Sequence, residues 1–284
     1  MRRKLQALYG LKWDPFSPEV PEEELWVTPQ LEHFGRRLEQ QAREGGFALI
    51  AGDPGTGKSV SLRWLAHRLG GVPDLSVAVL ERPQSRLADF YRELGERFGV
   101  LLVPHNRWAG FKALRERWQA HVASTLCRPV LLIDEAQEMR PEVLGELRLL
   151  ASTQFDSRIL LTVVLAGDGR LVELLRTPPL LPIGSRLRAR LNLDYAGAPE
   201  LGEFVRHQLS QAGNPDLMTP ALITTLCEHS AGNHRILCTM ARELLAAAVE
   251  RELSCLDEQL FLEFFAPSGR SRQRLGSVRQ RSAS

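Results

Sequence analysis

Long hydrophobic runs are missing from this 284-residue sequence: no window approaches 18 uninterrupted apolar residues, and the basic start MRRKLQALYGLKWDPF leads into no apolar leader region. A membrane span and a signal peptide are therefore not expected, and the reading is of a cytoplasmic protein that makes no use of a membrane. Cysteine is scarce as well. Cys127, Cys227, Cys238 and Cys255 form no C-x-x-C pair, which excludes a disulfide framework and suits a reducing compartment. The spacing of Cys227, His229, His234 and Cys238 fits no common zinc pattern. An excess of either charge is also lacking, since 36 Lys plus Arg against 34 Asp plus Glu leave a formal +2. What remains is 44% hydrophobic and 25% charged, ample for a core, and it excludes disorder throughout and collagen.

The small net charge conceals an uneven distribution. Residues 268–284 contain five arginines and no acid, and removing those five from the +2 leaves −3 for residues 1–267. The stretch 267–284 is too poor in apolar residues to fold by itself and reads as a disordered basic tail. A solvated terminus and a nucleic-acid arm are both open readings of it.

Residues 1–30 carry Pro15, Pro18, Pro21 and Pro29 and read as an extended arm lying on something else. From 31 to 195, short apolar runs alternate with helical patterns. Strands are expected at 47–51, 77–80, 130–133, 159–165 and 191–195. Helices are expected at 29–43, 58–69, 84–98, 107–126, 141–152 and 169–176. Continuous apolar strands separated by helices predict an α/β fold with a parallel sheet covered on both faces. After Tyr195 the strand signal stops, and 196–266 reads as a small helical bundle.

Gly52-Asp53-Pro54-Gly55-Thr56-Gly57-Lys58-Ser59 follows the first strand and opens a helix, a full match to G-x-x-x-x-G-K-[ST] in the context that motif needs. Glycines let successive backbone N–H groups curl around phosphate, and the helix N-terminus adds its dipole. Lys58 would reach the β- and γ-phosphates of ATP, and Ser59 would ligate Mg²⁺. Asp134 and Glu135 end the apolar run Val130–Ile133, 76 residues after Lys58. Buried acids there demand a cation or a watery cleft. Asp134 is assigned to the Mg²⁺ shell, and Glu135 to the general base that polarises the attacking water. Asp168, at the end of the fourth strand, orients water or senses phosphate, or is a simple turn residue. Arg186, Arg188 and Arg190 precede the last strand as finger candidates or as a solvated basic face. Arg235, in the first turn of a helix, suggests a nearby anion or a pair with Glu228.

In this order the motifs resemble those of AAA+ ATPases over residues 1 to about 265. Gly10-Leu11, Pro15-Phe16, Ile133-Asp134-Glu135-Ala136-Gln137, Leu147-Arg148-Leu149-Leu150 and Leu165-Ala166-Gly167 resemble the ExeA-type branch, which includes transposition regulators of the MuB, TniB and TnsC kind. The resemblance implies a P-loop AAA+ sheet followed by a helical lid, and an oligomer with nucleotide between subunits. It makes Arg186 the first and Arg190 the second finger candidate, and Arg235 the lid's sensor arginine. Asp168 departs from the glutamine common in that branch. Residues 9–28 match the arm near the adenine base.

The branch contains secretion ATPases that continue into a membrane span and transposition ATPases that are short. A 284-residue chain without a span is expected to be of the second kind. The implied protein assembles on double-stranded DNA with ATP, recruits a DDE transposase or targeting adaptor, and is reset by hydrolysis. Arg82, Arg86, Arg107 and Lys112 are the weak candidates for DNA contact. The alternative is a secretion or pilus-assembly ATPase subunit acting without DNA.

Overall fold

Residues 2–81, 86–100, 107–153 and 158–265 are described by the computed structural model. The chain opens with α1 (Arg2–Tyr9) and α2 (Pro29–Glu44), followed by β1 (Gly46–Gly52), α3 (Lys58–Gly70) and β2 (Leu75–Leu80). Then come α4 (Leu87–Phe98), α5 (Arg107–Ser124), β3 (Arg128–Ile133) and α6 (Pro141–Ala151). A two-residue antiparallel pair, β4 (Ser152–Thr153) with β5 (Arg158–Ile159), precedes β6 (Thr162–Gly167), α7 (Gly169–Leu174), α8 (Leu181–Gly184) and β7 (Leu187–Leu193). Four helices follow: α9 (Ala198–Ala212), α10 (Pro220–His229), α11 (His234–Glu250) and α12 (Glu258–Phe265). Arg82 and the basic tail from residue 267 lie outside the described residues.

Five strands form one parallel sheet in the order β2-β3-β6-β1-β7. The apolar runs have no polar face because both faces are covered. Phe47, Leu49, Leu131, Ile133, Val163 and Leu165 point into the core beneath α4 to α8. Their neighbours Ala48, Ile50, Val130, Leu132, Val164 and Ala166 point into the core beneath α2 and α3. Because β6 lies between β1 and β3, the carboxyl ends of these strands stand side by side. Adjacent strands are about 4.8 Å apart, so the phosphate loop and the Asp134-Glu135 pair are roughly 10 Å apart across the sheet.

The last strand begins earlier than expected. Arg188 and Arg190 lie within β7, where Ala189 and Leu191 are buried and Arg188, Arg190 and Asn192 are exposed. An edge strand covered on one face alternates, so its polar half does not read as an apolar run.

The N-terminal arm also departs from expectation, because Arg2–Tyr9 is helical. The prolines start only at Pro15 and place no constraint on α1. Leu5, Tyr9, Leu11 and Phe16 are buried in a third core with α9 to α12, and Lys12 N–H donates to the Ala212 carbonyl at 2.9 Å. The arm then crosses to α3, where the Arg63 guanidinium donates to the carbonyls of Pro18 and Val20. It thereby ties the helical bundle to the sheet.

One of the DNA-contact candidates has a different task. Glu146 on α6 is only 4% exposed. It accepts from the Tyr91 hydroxyl at 2.6 Å and from Arg107 Nη2 and Nε at 2.6 and 3.2 Å. A buried carboxylate is costly unless so compensated. Burial, and then the bond to Glu146, push the Tyr91 pKa up. Arg107 thus joins α5 to α4 and α6, a role that helix-face charge cannot reveal. Lys112 makes a loose pair with Glu116 at 3.7 Å, and Arg86 is exposed at the N-cap of α4.

Arg107→Ala is expected to lower the unfolding free energy by about 2 kcal/mol, with much of the loss recovered when Glu146→Leu is added. Urea denaturation of the single and double variants measures this, and strictly additive effects would rule out the coupling.

Candidate active site

The turn between β1 and α3 is shaped by its glycines: Gly55 and Gly57 take φ of +87° and +105°, a region that side chains other than glycine rarely adopt. The loop is pinned within itself. Thr56 Oγ1 donates to the Asp53 carbonyl at 2.8 Å. The Lys58 ammonium, 6% exposed, donates to the carbonyls of Gly52 and Asp53 at 2.8 and 3.0 Å. The first amides of α3 have no partner within the helix and make an anion cradle with Lys58.

Across β6, the Glu135 N–H donates to Asp134 Oδ1 at 2.9 Å. Glu135 has φ of +50°, an outlier for a residue with a Cβ. Its Oε2 accepts from Gln137 Nε2. The Ser59 hydroxyl and the second Asp134 oxygen are hard donors. They fit Mg²⁺, which takes few protein ligands and completes its shell with water and phosphate oxygens.

Asp168 stands at the N-terminus of α7, close enough to Lys58 to feel its charge. It caps α7 by accepting from Arg170 N–H at 2.9 Å, and it pairs with the Arg170 guanidinium at 2.9 Å. Burial alone would raise its pKa, but the Arg170 hydrogen bonds outweigh this and hold it below the usual carboxylate range. Arg170 also reaches Glu138 at 2.9 Å.

The helical bundle contributes the opposite wall. Asn233 Oδ1 accepts from the N–H groups of Arg235 and Ile236, capping α11, while its Nδ2 donates to the Pro54 carbonyl at 3.0 Å. A Cβ on Gly55 would collide with the Asn233 amide. The cap sets Arg235 at the mouth of the site; it makes no ion pair with Glu228. His234 packs edge-on against Phe204, with 5.1 Å between ring centroids, and burial holds its pKa below the ordinary 6.5.

These walls enclose a cavity of about 600 Å³. Gly55 to Ser59 and Glu135 line its polar end, and Arg235, Thr239 and Arg242 line the bundle side. Pro15, Phe16, Val20, Leu25 and Trp26 of the arm supply an apolar side with Tyr195 and Phe204. Cys238 also lines it, its thiol pushed up to about 12, chiefly by burial. Gly52, Asp53, Pro54 and Asp134 support the loop and strand end without lining the cavity. Arg186 and Arg190 do not line it either. Leu187 pairs with Phe47, five residues before Gly52. Arg186, one residue further back, therefore stands roughly 20 Å along the strand direction from the loop. It borders a second cleft with Arg148 and Arg188, where Arg188 pairs with Glu44 at 2.8 Å. Gln137 belongs to the Asp134-to-Gln137 stretch legible in the sequence, but neither its bond to Glu135 nor the double bonding of Asn233 was. For Asn233 the available signal was its chemistry, that of a capping residue before a helix.

Sheet, phosphate loop and helical bundle together make a P-loop AAA+ fold, and residues 40–175 match the family model described as an AAA domain. The chain is 31% identical over 251 residues to General secretion pathway protein A of Aeromonas hydrophila; the match takes in 86% of this chain and 44% of that protein. It therefore spans less than half the length of that curated relative. Among solved structures, Cdc6p of Pyrobaculum aerophilum is similar in fold, with a TM-score of 0.70 and 16% identity over 85% of this chain and 67% of the other. The Aeropyrum pernix ORC1 protein, solved in complex with DNA, is similar with a TM-score of 0.66 and 19% identity over 88% and 67%.

Asn233→Ala removes the α11 cap and the bond to Pro54, and is expected to lower stability by about 1 kcal/mol or more in chemical denaturation. His234 gives a pH dependence of known sign. Its folded pKa is depressed, so its stabilising contribution is complete above pH 6.5 and is lost as pH falls below that value. Thermal melts from pH 7.5 to 5.5 should show this, and His234→Gln should flatten the acid side of the curve.

Proposed function

We propose that this protein hydrolyses ATP as an oligomeric switch on double-stranded DNA, and that it regulates transposition by marking target DNA and recruiting or activating a DDE transposase or targeting adaptor. The observation that carries the ATPase reading is the single cavity bounded by the phosphate loop and Glu135 on one side and Arg235 on the other. The α3 amides and Lys58 hold the β- and γ-phosphates, and the apolar wall of the arm receives the base. Ser59 and Asp134 would hold Mg²⁺, which would supply charge neutralisation at the phosphoryl oxygens. Glu135 accepts the proton of the attacking water. Arg235 reports phosphate to the bundle through α11.

Self-assembly is supported by the placement of Arg186. It is too far along the sheet to touch nucleotide in its own chain, yet a permanently charged fork suits the phosphates held by an adjoining copy. Arg190 is the second candidate. A DNA role is supported by the Asp134-to-Gln137 stretch and its companion motifs, and by likeness of fold to an ORC1 protein solved in complex with DNA. Exposed Arg86 and Lys112, repeated around an assembly, supply electrostatics that one copy lacks. A second reading, a secretion or pilus-assembly ATPase acting without DNA, is favoured by the 31% identity to a general secretion pathway protein.

Lys58→Ala is expected to abolish ATP-dependent assembly. Glu135→Gln should bind ATP, lose about 100-fold or more in turnover and remain assembled on duplex DNA. Phosphate release with and without DNA, together with electron microscopy of the mixtures, reads both. Turnover like wild type in Glu135→Gln removes the base assignment. Hydrolysis indifferent to DNA, with no salt-sensitive duplex binding, favours the secretion reading.

A further inference from the structure

Gln137 lies two residues beyond Glu135 in a short 3-10 turn, and its side chain turns back to donate Nε2–H to Glu135 Oε2. The other end of the amide is enclosed rather than bonded. Its Oε1 is buried with no hydrogen-bond partner among the described residues. A Cβ on Gly167, at the end of β6, would come within 2.5 Å of that oxygen. Buried amide oxygens are normally satisfied, so a side chain present for packing alone has no reason to leave its acceptor unmet. The orientation makes sense if the N–H is needed at Glu135.

That single bond divides the carboxylate. Oε2 is anchored, while Oε1 has no protein donor among the described residues and belongs to a side chain lining the nucleotide cavity. A base oriented by a third group is a recurring arrangement in activated water and nucleophile sites. The backbone of Glu135, at φ +50° and bonded through its N–H to Asp134, sets where the side chain starts; the amide of Gln137 sets where it ends.

We infer that Gln137 is a positioning residue for hydrolysis: it fixes Glu135 Oε2 so that Oε1 faces the attacking water, and the absence of a side chain at Gly167 makes room for its amide. The inference rests on Glu135 being the general base. A Gln137→Leu variant keeps most of the volume but removes both the donor and the unsatisfied acceptor. Its kcat for ATP should fall about tenfold, with KM for ATP within twofold of wild type, since misplacement of a reacting group affects the chemical step before it affects binding. Its melting temperature should be equal to wild type or higher.

Gly167→Ala should displace the amide and lower kcat likewise. The added Cβ also meets Leu171 Cδ2 and Cβ at 2.8 and 3.0 Å, so the variant supports the inference only if kcat falls while its melting temperature is retained. Steady-state and single-turnover hydrolysis with thermal melts on the full chain provide the test. An unchanged or increased kcat in Gln137→Leu overturns the inference, as does a loss of kcat that merely follows losses of melting temperature and ATP affinity. If Glu135→Gln itself retains turnover, the base assignment fails. If Glu135→Gln is inactive and Gln137→Leu is normal, only the positioning role fails.

Discussion

A single amide, that of Asn233, joins the two halves of the molecule at the point where phosphate chemistry would occur. Its oxygen caps α11 and its nitrogen holds the Pro54 carbonyl. The two ends of one planar group therefore fix the phosphate loop relative to the first turn of the bundle helix that carries Arg235. Gly55 must lack a side chain for the approach to exist at all. The apolar cores contribute far more to stability, yet they leave each half separate: two lie on the faces of the sheet and the third within the bundle. The N-terminal arm and this amide are what convert adjacent bodies into a site with opposing walls.

The chemistry of the site follows from strand order. With β6 between β1 and β3, phosphate loop and acid pair are held apart by two strand spacings, room for a terminal phosphate and a water. Glu135 takes an uncommon backbone conformation and has one oxygen bonded to Gln137. Arg186 stands near the opposite end of the sheet, so a single copy contains every element of the proposed site except the finger.

Much of this architecture could be read in the amino-acid sequence, and the failures have physical causes. The buried strands announced themselves because a strand covered on both faces is uniformly apolar, and the glycine loop because its spacing is tied to phosphate geometry. Strand β7 was misjudged by several residues because it alternates Leu187, Ala189 and Leu191 with Arg188 and Arg190, so that half of it resembles a basic loop. Helix α1 was hidden by prolines that follow it. Arg107 looked like any exposed arginine until Glu146, 39 residues away, proved to be buried beside it. The bond from Asn233 to Pro54 spans 179 residues and no local pattern encodes it, whereas Gln137 stands two residues from Glu135 and only the direction of its side chain was hidden.

Through Asn233, nucleotide binding at the phosphate loop is proposed to be felt directly by α11. Amide hydrogen exchange with and without a non-hydrolysable ATP analogue tests it most directly. The account predicts that the Arg235 and Ile236 amides, capped by Asn233, slow together with the first turn of α3, and that Asn233→Ala uncouples the two while the α3 response remains. Protection confined to α3 in the unsubstituted protein would contradict it.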